Sequence, residues 1–278
     1  MGIGRLIQKL ALPLAVGSFG ALYFLERRRP LRRPVEPQAT RTARNLTVAG
    51  AAAVAVYLIE QPIASHAAQL IERRRIGLLK MVRLPKWFEQ LAAVLILDYT
   101  LYIWHVLTHK IPALWRFHVV HHVDLDLDTT TSLRFHFGEI TISVAWRWLQ
   151  IMLIGVSPAS LRIWQALVLP SVMFHHSNLE LPRSLERLLS KVVVTPRLHG
   201  IHHSVVRQET NSNWSSGLAI WDIVHGTFRD IDQHRGVRIG VPAYRVPEEL
   251  TIGKLLEMPF VEQRPTWKLP AGEIEGGH

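Results

Sequence analysis

Long apolar runs alternate with short basic ones along the first two thirds of the chain, and the alternation stops near Lys191. The first run, LALPLAVGSFGALYFL at 10–25, passes directly into ERRRPLRRP. It falls slightly short of the ~20 residues that cross a bilayer comfortably. Arginines stand where a signal peptide would carry its small-residue cleavage site, so the run reads as a retained anchor. A second run, LTVAGAAAVAVYLI at 46–59, stops at Gln61-Pro62. A third covers 87–109, a fourth covers 140–156 in spite of Arg147, and a fifth at 161–174 surrounds Pro170. None is a clean 20-residue span, and Asp98 and Arg147 charge two of them. The pattern is that of an all-α chain, either a polytopic bundle of tilted or paired short helices or a soluble helical protein with buried helices.

Tryptophan and arginine tip this choice. Trp87, Trp104, Trp115, Trp146, Trp148 and Trp164 lie near run ends, as an interfacial aromatic belt would, although core packing also accounts for them. With 48% apolar residues and a mean hydropathy of +0.13, the chain fits a membrane protein with a substantial polar portion. Seven arginines at 26–44 and six Lys or Arg at 73–86 flank the second run on both sides, so they barely orient it. Basic residues at 110–116 and 183–207 place the histidine-bearing side toward the cytoplasm. The tail after Glu257, rich in Pro, Glu and Gly, is expected to be loosely ordered. The net charge of +10 permits nucleic-acid binding, but the arginines sit beside apolar runs and not along a polar aromatic surface, which speaks against it. The chain has no cysteine, so any metal must be held by nitrogen and oxygen.

The chemistry lies in the histidines. Of fifteen, eleven fall between His105 and His203. WHVLTH sets His105 and His109 four apart; FHVVHH carries His118, His121 and His122; LHGIHH repeats that form with His199, His202 and His203. On a helix, positions three or four apart share a face, so each box aims two imidazoles one way. The adjacent third ring turns aside by roughly a hundred degrees, toward a second ion. Eight imidazoles over-supply one first-row ion and suit two neighbouring ones, with Fe, Zn, Cu and Ni all compatible. His66, His225 and His234 stand alone and read as surface or hydrogen-bonded residues. No H-E-x-x-H, Gly-rich phosphate loop or G-x-S-x-G elbow is present, which leaves a hydrolase without its machinery.

The segments DYTLYIWHVLTH (98–109), LWRFHVVHH (114–122), SLRFH (132–136), FHHSN (174–178), TPRLHGIHHS (195–204) and WDIVHGTF (221–228) resemble, in order and spacing, the fatty acid hydroxylase/sterol desaturase superfamily of membrane di-iron enzymes. The resemblance implies that His105, His109, His118, His121, His122, His199, His202 and His203 are iron ligands, and His176 matches a further ligand position. His136 and His175 are weaker candidates, as supporting groups or alternative ligands. Two iron ions, O2 and electrons from an external donor of the ferredoxin or cytochrome b5 kind are implied. The substrate implied is a lipid, sterol or fatty-acyl in type, which is hydroxylated or desaturated. Val123, His225 and Lys110 depart from residues common in the family at those places. A ligand imidazole needs an acceptor for its other nitrogen. Asp98, seven residues before His105 on the same helical face, is the first choice, followed by Asp124, Glu139 and Asp222.

The expected architecture is an all-α polytopic membrane bundle with a histidine-rich di-metal site on a cytosolic cap. Residues 1–44 would form a membrane anchor and basic linker, 45–235 the catalytic domain and 236–278 a C-terminal tail. A non-catalytic membrane protein that binds a divalent metal is the alternative.

Overall fold

The computed structural model describes residues 3–231 and 236–268, with side chains from residue 9 onward. His234 and His278 lie outside the described residues. The apolar runs become helices: α1 (Ile3–Arg28), α2 (Gln38–Ala55), α3 (Gln61–Arg74), α4 (Lys86–Lys110), α5 (Pro112–His122), α6 (Phe137–Ile154) and α7 (Pro158–His176). Short helices follow: α8 (Arg183–Leu189), α9 (Pro196–His202), α10 (Arg207–Thr210), α11 (Ile220–Val224) and α12 (Ile252–Glu257). Among the described residues strand pairing is limited to isolated bridges.

Among the described residues, three helical stretches are long and apolar enough to cross a membrane: Lys9–Arg28, Gln38–Lys80 and Lys86–Lys110. The second is longer than its apolar run. A π-helical turn, Val56–Glu60, joins α2 to α3. Pro62, expected as a stop, falls in the first turn of α3, where a missing N–H has little ladder to break. The outer faces are those of helices solvated by hydrocarbon: Leu12 is 72% exposed and Tyr57 is 77% exposed. The inner faces are small. Ala64, Ala67 and Ala68 of α3 are buried with Ala93 and Leu97 of α4, Ile151 of α6 and Trp164 of α7. Small side chains let helix axes approach closely, which is how helices associate without a hydrophobic drive. The tryptophans divide. Trp87 is exposed, Trp164 is buried, and Trp104 stacks on Trp146 at 5.7 Å.

Helix ends follow local chemistry. Ser157 caps α7, its Oγ accepting from Ser160 N at 3.1 Å, with Pro158 in the first turn. α6 stops at Gly155 (φ 82°), which lies against Gly77 (φ 99°); a Cβ on Gly77 would come within 2.4 Å of Gly155 Cα. Both conformation and space demand glycine there. α4 and α5 are separated by Ile111 alone, and Pro112 opens α5.

Beyond the long helices sits a polar cap with its own apolar core, including Val119, Val120 and Val123 with Val241, Leu250 and Leu255. An ionic knot ties α2 to it. Buried Asp124 accepts from Arg41 Nε and Nη2, each at 2.9 Å, from Asn45 Nδ2 at 3.0 Å and from Thr131 Oγ1 at 3.0 Å. It also pairs with Arg134 Nη1 at 3.0 Å, while Arg41 bonds Asp128 as well. Burial alone would raise the Asp124 carboxyl, but Arg41 and Arg134 hold it below the usual carboxylate range. The basic linker is stitched down too: Val35 N and Glu36 N donate to Asp126, and Arg32 N donates to Asn178 Oδ1. The tail, expected loose, is anchored at points as far as Trp267. Met258 and Pro259 are buried, and Trp267 stacks on Trp115 at 6.2 Å. Residues 269–278 lie outside the described part.

Candidate metal centre

The histidine boxes occupy helix ends that converge where the long helices meet the cap. His105 and His109 fill the last two turns of α4, His118, His121 and His122 close α5, and His175 and His176 close α7. His199 and His202 lie on α9, with His203 next along the chain. Apart from half-buried His109, all of these rings are buried.

The nine sequence-predicted ligand positions come together in two sets. His105, His109, His118, His122 and His202 each offer one ring nitrogen within 4.8 Å of the others, and so do His121, His176, His199 and His203. The two H-x-x-H-H boxes exchange members. The i, i+4 pair His118/His122 serves the first set while His121 serves the second; His199/His203 serves the second while His202 serves the first. The sets touch, His122 stacking on His203 with ring centroids 4.2 Å apart.

Hydrogen bonds orient the rings. Nδ1 of His105 donates to Trp214 O at 2.6 Å, of His202 to Ser212 O at 2.9 Å, of His121 to Arg134 O at 3.3 Å and of His176 to Val172 O at 2.8 Å. A carbonyl only accepts, so in each of these rings the proton sits on Nδ1 and Nε2 presents a bare lone pair. His121 Nε2 and His176 Nε2 then face each other at 2.9 Å with no proton between them, and His199 Nε2 stands 3.0 Å from His176 Nε2. Further buried ring nitrogens have no hydrogen-bond partner: Nε2 of His109 and His202, Nδ1 of His199 and both nitrogens of His203. Converging buried lone pairs are costly unless a cation sits among them. Burial, reinforced by neighbouring imidazoles, holds His121, His122, His199, His202 and His203 well below the ordinary histidine value, so these rings are neutral. Neutral nitrogen donors without thiolate fit one or two first-row transition ions.

Of the four acids expected to orient rings, Glu139 alone touches one, its Oε1 accepting from His118 Nδ1 at 2.9 Å. Asp98, the first choice, does not. Its carboxylate accepts from Leu218 N at 3.1 Å and Trp221 Nε1 at 2.7 Å. The helical face was right, but residues 214–221 cover it. Gly217 lies so near that a Cβ would come within 2.2 Å of Asp98 Oδ1. Asp222 and Asp124 act at one remove. Asp222 accepts from Trp214 N and Ser215 N, fixing the peptide that holds His105; Asp124 anchors Arg134, whose carbonyl holds His121.

The weaker candidates separate. His175 packs on His199 with centroids 4.1 Å apart but belongs to neither set. His136 is a capping residue: its Nδ1 accepts from Gly138 N at 2.9 Å and its Nε2 donates to Leu256 O at 3.1 Å. His66 is exposed, and His225 bonds Tyr99 Oη through Nε2 at 3.1 Å. The groups that sequence reasoning missed are the carbonyls of Trp214, Ser212, Arg134 and Val172, which no side chain advertises.

A cavity of about 670 Å³ opens against His105, His118, His121, His176 and His199. Leu101, Trp104, Leu133, Phe135, Val168 and Val172 are among its apolar walls. A site that brings two clusters of imidazole nitrogens able to hold metal to the edge of a lipid-sized apolar cavity suits oxidation of an apolar molecule better than capture of a free ion.

Comparison with known proteins agrees with this geometry. The chain is 32% identical over 158 residues to the ornithine lipid hydroxylase of Rhizobium tropici, an alignment covering 56% of this chain and 46% of that protein. It is 30% identical over 162 residues to a cholesterol 25-hydroxylase-like protein of Danio rerio, covering 54% and 57% respectively. With the alkylglycerol monooxygenase of Homo sapiens the figures are 27% over 143 residues, 51% and 30%. The chain thus spans roughly half or less of these relatives' lengths. No solved structure matches it. The profile of the fatty acid hydroxylase family matches residues 90–227, from α4 through the last box to Thr227, and through that region the chain belongs to the fatty acid hydroxylase family.

Proposed function

We propose that the protein is a membrane-bound non-haem di-iron oxygenase that hydroxylates a lipid, with O2 as oxidant and electrons from an external ferredoxin- or cytochrome b5-like donor. The observation that carries the proposal is the pair of imidazole sets whose ring nitrogens converge beside the apolar cavity, with bare Nε2 atoms face to face at His121 and His176. His105, His109, His118, His122 and His202 would hold one iron; His121, His176, His199 and His203 would hold the other. When bound, the iron pair supplies the redox chemistry by which O2 is reduced and a C–H bond oxidised, the balance being R–H + O2 + 2e⁻ + 2H⁺ → R–OH + H2O. The chain's part is to orient and to exclude. Carbonyls and Glu139 fix the rings, and burial keeps His121, His122, His199, His202 and His203 unprotonated. Apolar walls present hydrocarbon to the rings and keep bulk water away.

Hydroxylation is preferred to desaturation because the relatives are named as hydroxylases and monooxygenases. On this reading residues 1–44 serve as anchor and basic linker, 45–235 carry the catalysis and 236–278 close the cap, with the boxes facing the cytoplasm. A non-catalytic metal binder is the weaker alternative, since storing an ion needs no lipid-sized cavity at the rings. Metal analysis of the purified chain should find about two irons, and lipids from expressing cells grown in ¹⁸O2 should gain one labelled oxygen. His121→Ala and His203→Ala, in the set with no ring to spare, should lose iron and product; full activity in either variant would sink the assignment.

A further inference from the structure

The cavity that begins at the histidine rings does not end in hydrocarbon. Its far wall carries Glu60 from the π-helical turn, Gln61 from the start of α3, Arg147 from α6 and Gln165 from α7. Glu60 Oε1 lies 3.5 Å from Arg147 Nε, and the two side chains are 15% and 13% exposed. The guanidinium sits 4.2 Å over the Trp164 ring, and its Nη1 donates to Gln150 Oε1 at 2.6 Å. Gln150 in turn donates to Thr100 Oγ1 at 2.6 Å.

This polar end is well separated from the rings. Glu139, which holds His118, and Arg147 are eight residues apart on α6, about 12 Å at 1.5 Å per residue. Gln165 and His176 are eleven apart on α7, about 16 Å on the same rise. Two charges among packed helices are a poor device for holding them together, because desolvation offsets their attraction and apolar side chains of similar volume serve as well. An ionisable pair at membrane depth that faces a cavity has a use in what the cavity takes up. Arg147 Nε lies at ion-pair distance from Glu60 yet makes no hydrogen bond, so the guanidinium's donor capacity is not exhausted. The π-helical turn, a feature frequent at functional sites, is what presents Glu60 here.

We infer that this end recognises an uncharged hydrogen-bonding group, a hydroxyl or carbonyl, on an otherwise apolar lipid whose other end reaches the imidazoles. The Glu60–Arg147 pair is net neutral. A charged group would bring an uncompensated buried charge, whereas an uncharged one exchanges hydrogen bonds with Arg147, Glu60 and Gln165. The separation of about 12–16 Å corresponds to roughly ten to thirteen C–C bonds of an extended chain, because a bond of about 1.5 Å advances only about 1.25 Å along the zigzag. The cavity therefore measures from the polar group to the carbon that is oxidised. The inference rests on the oxygenase reading above for what happens at the rings, but not for the binding itself.

The test is photolabelling of the full chain in nanodiscs, as purified and loaded with zinc, so that no turnover occurs. The probe is a twelve-carbon primary alcohol bearing a diazirine at its far end; the same chain without the hydroxyl and the same chain as a carboxylate are the comparisons. The alcohol should label Leu133, Phe135 or Val172 saturably, with half-saturation at least tenfold tighter than either comparison. Arg147→Gln and Glu60→Gln should each weaken it about tenfold, and the double substitution E60L/R147L should erase the preference for alcohol over hydrocarbon. Zinc stoichiometry checks that each variant keeps its fold, and the single variants decide the matter where the double one does not. Equal labelling by alcohol and hydrocarbon in the unsubstituted chain overturns the inference, as does unchanged half-saturation in both single variants. A chain that oxidises no lipid but keeps the alcohol preference sinks the oxygenase reading alone. Oxidation without that preference sinks this inference alone.

Discussion

The five imidazoles grouped with His105 and the four grouped with His121 come from shared boxes, yet the chain supports them differently. In the larger set three rings are oriented through Nδ1, and one of the acceptors is a carboxylate, Glu139. In the smaller set two rings are oriented, both by backbone carbonyls. A carboxylate behind a ligand imidazole raises its donor strength more than a peptide does. The larger set thus has both a spare ligand and the stronger donor, and should hold its ion more firmly. Two matching H-x-x-H-H boxes do not make two equal sites.

The largest effect should come from deleting a ring where none is spare. His176→Ala leaves three ligands and should release one ion, giving about one iron per chain and no detectable hydroxylation; His109→Ala leaves four and should keep both. Metal analysis of the two variants side by side reads this directly, and matching losses would erase the distinction. Next is Asp124→Asn, which strips charge from a buried knot of arginines and loosens the peptide that holds His121. A loss of about 3–5 kcal/mol is expected, seen as a lowered unfolding midpoint, with the smaller set losing metal first. Glu139→Gln keeps an acceptor for His118 but removes the charge. Metal affinity of the larger set alone should fall about 10- to 100-fold in competition with a chelator. Smallest is His136→Ala, which removes a helix cap and no ligand. It should cost about 1 kcal/mol of stability and leave iron content unchanged; metal loss there would mean the ring does more than cap.

What was legible from the chain is what local spacing determines. Positions three or four apart share a face on any helix, so a division of each box into two directions was written in the spacing, whereas the pairing of His118 with His122 and of His199 with His203 was not. The acceptors behind the rings were not. Trp214 O reaches His105 across 109 residues of sequence, and a carbonyl has no residue type by which to find it. Asp98 shows the limit from the other side: its helical face could be read, but not the loop lying on that face. Pro62 was misjudged because a π-helical turn is a change of register that composition does not encode. The anchored tail was missed for a similar reason, since Trp267 gains order only from Trp115 on a distant helix.

The junction at Ile111 has a consequence for how such a chain tolerates change in length. One residue joins the helix that ends with His109 to the helix that carries His118, His121 and His122. An inserted residue that extended either helix would swing everything beyond it by about 100° and carry it about 1.5 Å along the axis. The same insertion at 181–182, at the outer end of the α7–α8 connection and beyond the Asn178 anchor, would leave the boxes in place. Length variation is therefore free to accumulate ahead of the last box and is forbidden between the first two. Scanning insertions along the chain should find its sharpest boundary at this one corner.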